Sequence, residues 1–147
     1  MDFKNQSIRR ESLEVKFIST RKKAPKVSFS EALAEGLAPD GGLYVPEKFS
    51  RIGKEEFGSL SLPDFAHLLL QPYLESDQLA GNLESICREA FDFAIPLKEL
   101  KTSTSVLELF HGPTAAFKDV GAQFLSSCFR VLAKEKHILV ATSGDTG

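Results

Sequence analysis

The sequence has only two cysteines, no long apolar run and no excess of charge of one sign, and each absence excludes a class of protein. Cys87 and Cys128 lie in helix-like apolar stretches without metal-type spacing, which predicts buried thiols in a reducing, cytoplasmic compartment. No apolar run approaches the roughly 18 residues of a membrane span, and the N-terminus lacks the apolar core of a signal peptide. The formal net charge of −2 is made of mixed signs, which argues against a nucleic-acid surface.

The first part of the chain, residues 1–95, has the pattern of a mostly helical domain with a few short strands. Short extended pieces are predicted at residues 13–19, 27–29 and 43–45. Apolar periodicity predicts helices over residues 31–35, 62–72 and 83–91. Ser30 is the predicted cap of the first helix and Gly36 its stop, because serine caps helices and glycine ends them. Ser61 is the predicted cap of the second helix, which Pro72 limits.

Residues 96–147 have the pattern of the truncated start of a second domain, of α/β class. A strand from Val106 to Phe110 precedes a helix from about Phe117 to Lys134 and a uniformly apolar strand from Ile138 to Ala141. The helix has an apolar stripe that is expected to be buried, formed by Val120, Phe124, Cys128, Val131 and Leu132. Strand, helix and strand in this order form a right-handed βαβ unit. Such units start doubly wound sheets, which bind ligands at the carboxyl ends of their strands.

Lys118 is the residue that most favours a reactive site. The predicted helix starts beside it, and a helix N-terminus disfavours a cation. Its neighbours Ala116, Phe117 and Val120 are apolar, which favours a partly desolvated amine. Both effects favour the neutral amine, the form that attacks carbonyl groups and takes up protons. A surface lysine at a helix start is the alternative, and Asp119 either opposes these effects or caps the helix.

A small-residue loop follows the last predicted strand and consists of Ser143, Gly144, Asp145, Thr146 and Gly147. Its hydroxyls, glycines and backbone N–H groups suit a small anion such as an amino-acid carboxylate, and an ordinary strand-to-helix turn is the alternative. The loop has neither P-loop nor GxGxxG spacing. His111 is interpreted as a structural histidine. No cluster has metal-ligand spacing and no hydrolase triad is indicated, so no metal is assigned.

Three segments of the chain resemble threonine synthases, which belong to the fold-type II group of pyridoxal-phosphate enzymes. The segments are VSFSEALAEGLAPDGGLYVP at residues 27–46, ELFHGPTAAFKD at residues 108–119 and TSGDTG at residues 142–147. The resemblance extends from about residue 18 to residue 147 and implies a tryptophan synthase β-like fold for the second domain. Because family members continue for hundreds of residues past the TSGDTG loop, the chain is expected to be an N-terminal fragment, inactive alone.

The resemblance also implies roles for the candidate residues. Lys118 matches the lysine that covalently holds pyridoxal 5'-phosphate and then moves protons at the α and β carbons of the substrate. The substrate α-carboxylate is held by the loop formed by Ser143, Gly144, Asp145, Thr146 and Gly147. Asp145 also approaches the cofactor ring oxygen, at a position where many relatives carry asparagine.

The implied reaction converts O-phospho-L-homoserine and water to L-threonine and phosphate, with the cofactor as the electron sink. A related serine or threonine dehydratase is one alternative, and a non-catalytic threonine synthase-like protein is another. The segment GLAPDGGLYVP argues against the dehydratase. The implied partner is this small-molecule substrate, with no nucleic acid and no membrane, and either a monomer or a dimer is expected.

Overall fold

A computed structural model describes residues 15–53, 58–132 and 144. This part of the chain is an α/β arrangement of helices and short strands. The strands are β1 (Phe17–Ser19), β2 (Tyr44–Pro46), β3 (Leu97–Glu99) and β4 (Ser105–Leu107). The helices are α1 (Phe29–Glu35), α2 (Leu62–Leu74), α3 (Leu83–Ala90) and α4 (Asp119–Leu132), and a 3₁₀ turn over Ala80–Asn82 leads into α3.

A small antiparallel sheet of β1 and β2 lies at the start of the described chain. Ile18 is opposite Val45 in its register. The turn before β2 is fixed by the Asp40 carboxylate, which accepts hydrogen bonds from Ser19 Oγ at 2.6 Å and from the backbone N–H of Gly42 at 2.9 Å. The Ser19 hydrogen bond is the main cause of the lowered pKa of Asp40. The strand predicted over residues 27–29 is wrong, because only Val27 makes a β-bridge and α1 begins two residues later.

The first helix is capped by Ser28, and the prediction of Ser30 as its cap is wrong. Ser28 Oγ accepts from the backbone N–H of Glu31, and the Glu31 carboxylate accepts from the Ser28 backbone N–H, which together form a capping box. Ser30 is buried, and its backbone N–H donates to the Asp77 carboxylate at 2.9 Å. The predicted stop at Gly36 is confirmed, since Gly36 has a φ of 73°, which glycine adopts without a Cβ clash.

Helix α2 begins as predicted but runs past its proline. Ser61 Oγ accepts from the backbone N–H of Asp64 at 3.3 Å, which confirms the predicted cap. Pro72 lies inside the helix, which continues to Leu74, so the predicted limit at Pro72 is wrong. Because the helix ends only two residues later, the hydrogen bond that proline cannot donate is lost from its last turn alone.

The hydrophobic core lies between α2, α3 and α4. Its buried side chains are Ala66, Leu74, Leu79, Leu83, Ile86, Cys87, Ala90, Phe91 and Cys128. The ring of Phe124 in α4 stacks on Phe91 with centroids 6.0 Å apart and meets Phe29 edge-on at 6.3 Å. The two cysteines are free and buried, as predicted. Burial raises the pKa of Cys87 to about 11 and that of Cys128 to about 12.

The strand before α4 differs from the predicted first strand of a βαβ unit. It runs over Ser105–Leu107 and pairs antiparallel with β3, so that Leu97 is opposite Leu107, and all residues of both strands are exposed. The predicted strand Ile138–Ala141 lies outside the described residues. None of the helices in the described part of the chain has the length and apolar character that a membrane crossing requires.

Helix α4 begins at Asp119 and not at Phe117 as predicted, and its predicted end at Lys134 lies outside the described residues. Most of its predicted stripe is confirmed, because Cys128 is buried and Val120, Phe124 and Leu132 pack against the core. Val131 is exposed, so its predicted burial is wrong. The division of the chain into two domains at residue 95 stays a prediction.

Candidate functional site

Lys118 lies at the boundary between a loop and the first residue of α4. It is therefore one position before the helix, not in its first turn as predicted. Its carbonyl oxygen accepts from the backbone N–H of Gly121 at 3.1 Å and of Ala122 at 2.9 Å, which ties the residue to the start of the helix. The Lys118 amine thus belongs to a residue at the positive end of the helix dipole, where a cation is disfavoured.

An open apolar cleft of about 810 Å³ lies beside Lys118. Its walls come from α2, from the segments just before β3 and around β4, and from the start of α4. They are Leu62, Phe65, Ile95, Leu107, Leu109, Phe117, Lys118, Val120 and Gly121. Lys118 is half-buried, and its Nζ lies 5.8 Å from the centroid of the Phe117 ring. The site thus combines one primary amine with walls that are otherwise apolar, as small-molecule sites commonly do.

The loop that leads to Lys118 is held by the next residue, Asp119. The Asp119 side chain is only 2 % exposed, and its carboxylate accepts from the Thr114 backbone N–H at 2.9 Å and from Thr114 Oγ1 at 2.7 Å. The sequence analysis expected Asp119 either to oppose the effects that favour a neutral Lys118 or to cap the helix. It did not predict this contact with the preceding loop. A threonine five residues before an aspartate is too common a signal to have revealed it.

Two further residues show how tightly this loop is built. A Cβ on Gly112 would lie 2.4 Å from Asp119 Oδ2, so the buried carboxylate occupies the space that a side chain at residue 112 would need. Ala115 has a φ of 57°, in the left-handed region that residues other than glycine rarely adopt. Such backbone strain persists only where surrounding contacts impose it.

His111 is held by a neighbouring carboxylate. Its Nε2 lies 2.8 Å from Glu108 Oε2, and its ring lies 4.7 Å from that of Phe110. These contacts within the loop support the interpretation of His111 as a structural histidine.

The loop predicted to hold an anion is described only at Gly144. This residue is exposed and has a φ of 117°, a backbone conformation that only glycine adopts readily. Ser143, Asp145, Thr146 and Gly147 lie outside the described residues, so the predicted meeting of this loop with Lys118 stays a prediction. In the described ranges, no group of three or more His, Cys, Asp or Glu side chains is arranged to hold a metal ion.

Comparison with known proteins places the chain among threonine synthases. A family model described as "Threonine synthase N terminus" matches residues 16–91. The threonine synthase of Pseudomonas aeruginosa is 41% identical over 145 residues, which cover 90% of this chain and 31% of that protein. That of Saccharomyces cerevisiae is 34% identical, over 88% of this chain and 30% of that protein.

Solved structures give the same result. The chain is similar to the PLP-bound threonine synthase from Brucella melitensis, with a TM-score of 0.75 and 40% identity, over 82% of this chain and 28% of that one. It is also similar to threonine synthase from Escherichia coli, with a TM-score of 0.73 and 29% identity, over 80% and 28% of the two chains. The chain spans about 30% of the length of the curated relatives that it matches.

Proposed function

This chain belongs to the threonine synthase family, and we propose that it supplies the cofactor-binding lysine and part of the substrate site of a threonine synthase. The enzyme converts O-phospho-L-homoserine and water to L-threonine and phosphate. The observation that carries the proposal is the position of Lys118 at the start of α4, in the wall of an apolar cleft. The similarity to a PLP-bound threonine synthase supports pyridoxal 5'-phosphate as the cofactor.

The described residues fit the ring of this cofactor. The cleft of about 810 Å³ has a volume typical of small-molecule sites, and its apolar walls suit the face of an aromatic ring. Lys118 is a lining residue of the cleft, so that its primary amine can reach an aldehyde carbon there. When bound, the cofactor supplies an electron sink for negative charge that develops on the substrate.

Lys118 is proposed to act in two ways. Its amine holds the cofactor covalently, and once released it takes a proton from the α carbon of the substrate and moves protons at the β carbon. Both tasks rest on the position of Lys118 at the start of α4 and in the wall of the cleft.

The loop after α4 is proposed to bind the substrate. Ser143, Gly144, Thr146 and Gly147 hold its α-carboxylate, and Asp145 both contributes to this site and approaches the cofactor ring oxygen. The positive φ of Gly144, a backbone conformation that glycine adopts readily, supports a place for this residue in a close backbone approach to the substrate.

We further propose a fold-type II architecture for the part of the protein that starts near residue 96, because the structural relatives are threonine synthases. A cytoplasmic location is proposed from the chemistry of the cysteines. Both thiols are buried and free, as in proteins of reducing compartments.

The test of this function uses the full-length protein, meaning a protein of the length of its relatives with this chain as its N-terminal part. Phosphate and L-threonine are measured after O-phospho-L-homoserine is added to the protein loaded with pyridoxal phosphate. We expect both products in equal amounts. Formation of a 2-oxo acid from serine or threonine, without phosphate release, would instead support the dehydratase, and no product from either substrate would support a non-catalytic protein.

The cofactor attachment is tested separately. The loaded full-length protein is reduced with borohydride and its peptides are mapped, and we expect the cofactor label on Lys118. The exposed Lys101 serves as an internal control, since it is also a lysine of the second part of the chain. A label on any lysine other than Lys118 contradicts the assignment.

A further inference from the structure

Asp119 is a buried acidic residue that follows Lys118 directly in the sequence, and it has no role in the reaction proposed above. Its carboxylate is 2 % exposed and accepts two hydrogen bonds from Thr114, one from the backbone N–H and one from the hydroxyl. The partners are five residues apart along the chain, so these bonds close a ring of residues that contains Lys118.

We propose that Asp119 is a positioning residue that holds the loop of residues 112–118 in the shape that places Lys118 in the wall of the apolar cleft. The proposal rests on the function proposed above. Lys118 is fixed on its other side by its own carbonyl, which accepts from Gly121 and Ala122 in α4. The direction of the lysine side chain therefore depends on how the loop before it meets the helix.

The backbone of the loop indicates that the Asp119 contact imposes this shape. Ala115 lies in the left-handed region with a φ of 57°, which an alanine leaves readily when nothing opposes it. Thr114, which donates both hydrogen bonds to the Asp119 carboxylate, directly precedes this strained residue. Without the carboxylate, Ala115 relaxes toward negative φ and the three residues up to Lys118 change direction.

Gly112 adds an independent constraint on the same carboxylate. An ideal Cβ at this residue would lie 2.4 Å from Asp119 Oδ2 and 2.6 Å from Asp119 Cβ. The absence of a side chain at residue 112 is thus what allows Asp119 to reach the loop. Gly112→Ala therefore offers a way to displace the carboxylate without removing it.

The experiment compares variants of the full-length protein. Asp119→Asn keeps the shape of the side chain but turns an NH₂ group or a weaker acceptor toward the Thr114 N–H. Thr114→Val removes the hydroxyl donor, and Thr114→Ser keeps it. Because Thr114 is exposed in the described part of the chain, we expect this second pair to fold even if the buried substitution does not.

The first measurement is the separation of kcat from KM for O-phospho-L-homoserine. Displacing a reacting group by about 1 Å costs about a hundred-fold in rate. We expect Asp119→Asn and Gly112→Ala to lower kcat by about this factor with KM changed by less than about three-fold. Thr114→Val is expected to lower kcat by about ten-fold, and Thr114→Ser is expected to restore it.

The second measurement needs neither activity nor cofactor. The lysines of the cofactor-free protein are reductively methylated with ¹³C-formaldehyde, and the Lys118 signal is assigned by its loss in Lys118→Arg. We expect this signal to move toward the position of exposed lysines in Asp119→Asn and Thr114→Val, and to stay in place in Thr114→Ser.

The results separate three cases. If the unmodified protein makes no threonine, the proposed function fails, but the methyl signal still tests the position of Lys118. If Thr114→Val leaves both kcat and the methyl signal unchanged, the positioning role is overturned. If Asp119→Asn lowers only the unfolding temperature, with kcat and signal unchanged, Asp119 acts on stability alone and the proposal is also overturned.

Discussion

Two regions of this chain differ in how far their apolar side chains are buried. Helices α2, α3 and α4 each bury one side in a common core, in which Leu74, Leu79 and Cys87 have no exposed surface. The segment from β3 to the start of α4 leaves its apolar side chains exposed, with Leu97 at 64 % and Phe117 at 61 %. In this first region the helices supply one another with packing partners.

The second region contains the candidate site, and its apolar side chains do not form such a buried core in the described part of the chain. The described residues leave a run of large apolar side chains exposed between residues 97 and 117, where an ordinary monomer surface has only scattered ones. Lys118 lies at the end of this run. The comparison indicates that stability and the proposed chemistry are located separately here. The helices form the core, and the proposed cofactor-binding lysine lies where this packing ends.

The strongest test of this separation removes the amine. In the full-length protein, Lys118→Ala is expected to lower turnover by at least about a thousand-fold, because proton transfer by a positioned group is worth about that much. Its free energy of unfolding should change by less than about 0.5 kcal/mol, because the residue lies outside the core. Lys101→Ala, in the exposed hairpin, is the matched control. Equal losses in the two variants would show that the site assignment is wrong.

The core side of the comparison is tested by truncating buried and exposed residues in parallel. The Ile86 side chain is only 1% exposed, so Ile86→Ala leaves a cavity in the core. This substitution should lower the free energy of unfolding of the 147-residue chain by about 2–5 kcal/mol. Leu97→Ala should cost less than about 0.5 kcal/mol in urea denaturation. In the full-length protein we expect Leu97→Ala to lower the free energy of unfolding by a larger amount. An unchanged loss there would mean that the surface around Leu97 stays exposed to solvent.

The buried thiols predict a loss of stability in alkali. Burial raises the pKa of Cys87 and of Cys128 above the ordinary 9.0, so the folded chain keeps them neutral while the unfolded chain ionises them. Their contribution is therefore fully present below about pH 9 and is lost as the pH rises toward the folded values. We expect the free energy of unfolding to fall by about 1 kcal/mol per thiol between about pH 9 and pH 10. A double Cys→Ala variant with the same pH slope would contradict this cause.

The smallest expected effect concerns a helix cap. Ser61→Ala removes the acceptor for the backbone N–H of Asp64 and should lower the free energy of unfolding by about 1 kcal/mol. Ser59→Ala, two residues earlier in an exposed turn, is the control and should be neutral. Equal unfolding midpoints for the two variants would show that α2 is held by packing alone.

Periodicity predicted the elements whose partners are apolar and nearby. The helix that buries Ile86 and Cys87, and the inward position of Cys128, followed from the 3.6-residue spacing of apolar side chains. The cap of α1 was missed although its signal was present. Ser28 and Glu31 have the serine-x-x-glutamate spacing of a capping box, and the sequence analysis chose Ser30 instead.

The hairpin and the Asp119 contact were missed for different reasons. The turn between β3 and β4 has no glycine, and it places Ser103 at a φ of 63°, where turn chemistry normally predicts glycine, asparagine or aspartate. The Asp119 carboxylate accepts from the backbone N–H and from the hydroxyl of Thr114, and no pattern of apolar spacing can reveal such polar contacts. The position of Lys118 at a helix start was predicted to within one turn, but what holds it there was not.

The packing of α4 on α3 has a consequence for proteolysis. The exposed turn at residues 101–104 is a natural place for a protease to cut, and the cut would separate α4 from the three earlier helices along the chain. Cys128 is nevertheless buried among the side chains of α2 and α3, and the Arg130 guanidinium pairs with Glu89. A nicked chain is therefore expected to elute as one particle in gel filtration. Its two pieces should separate from each other only in denaturant.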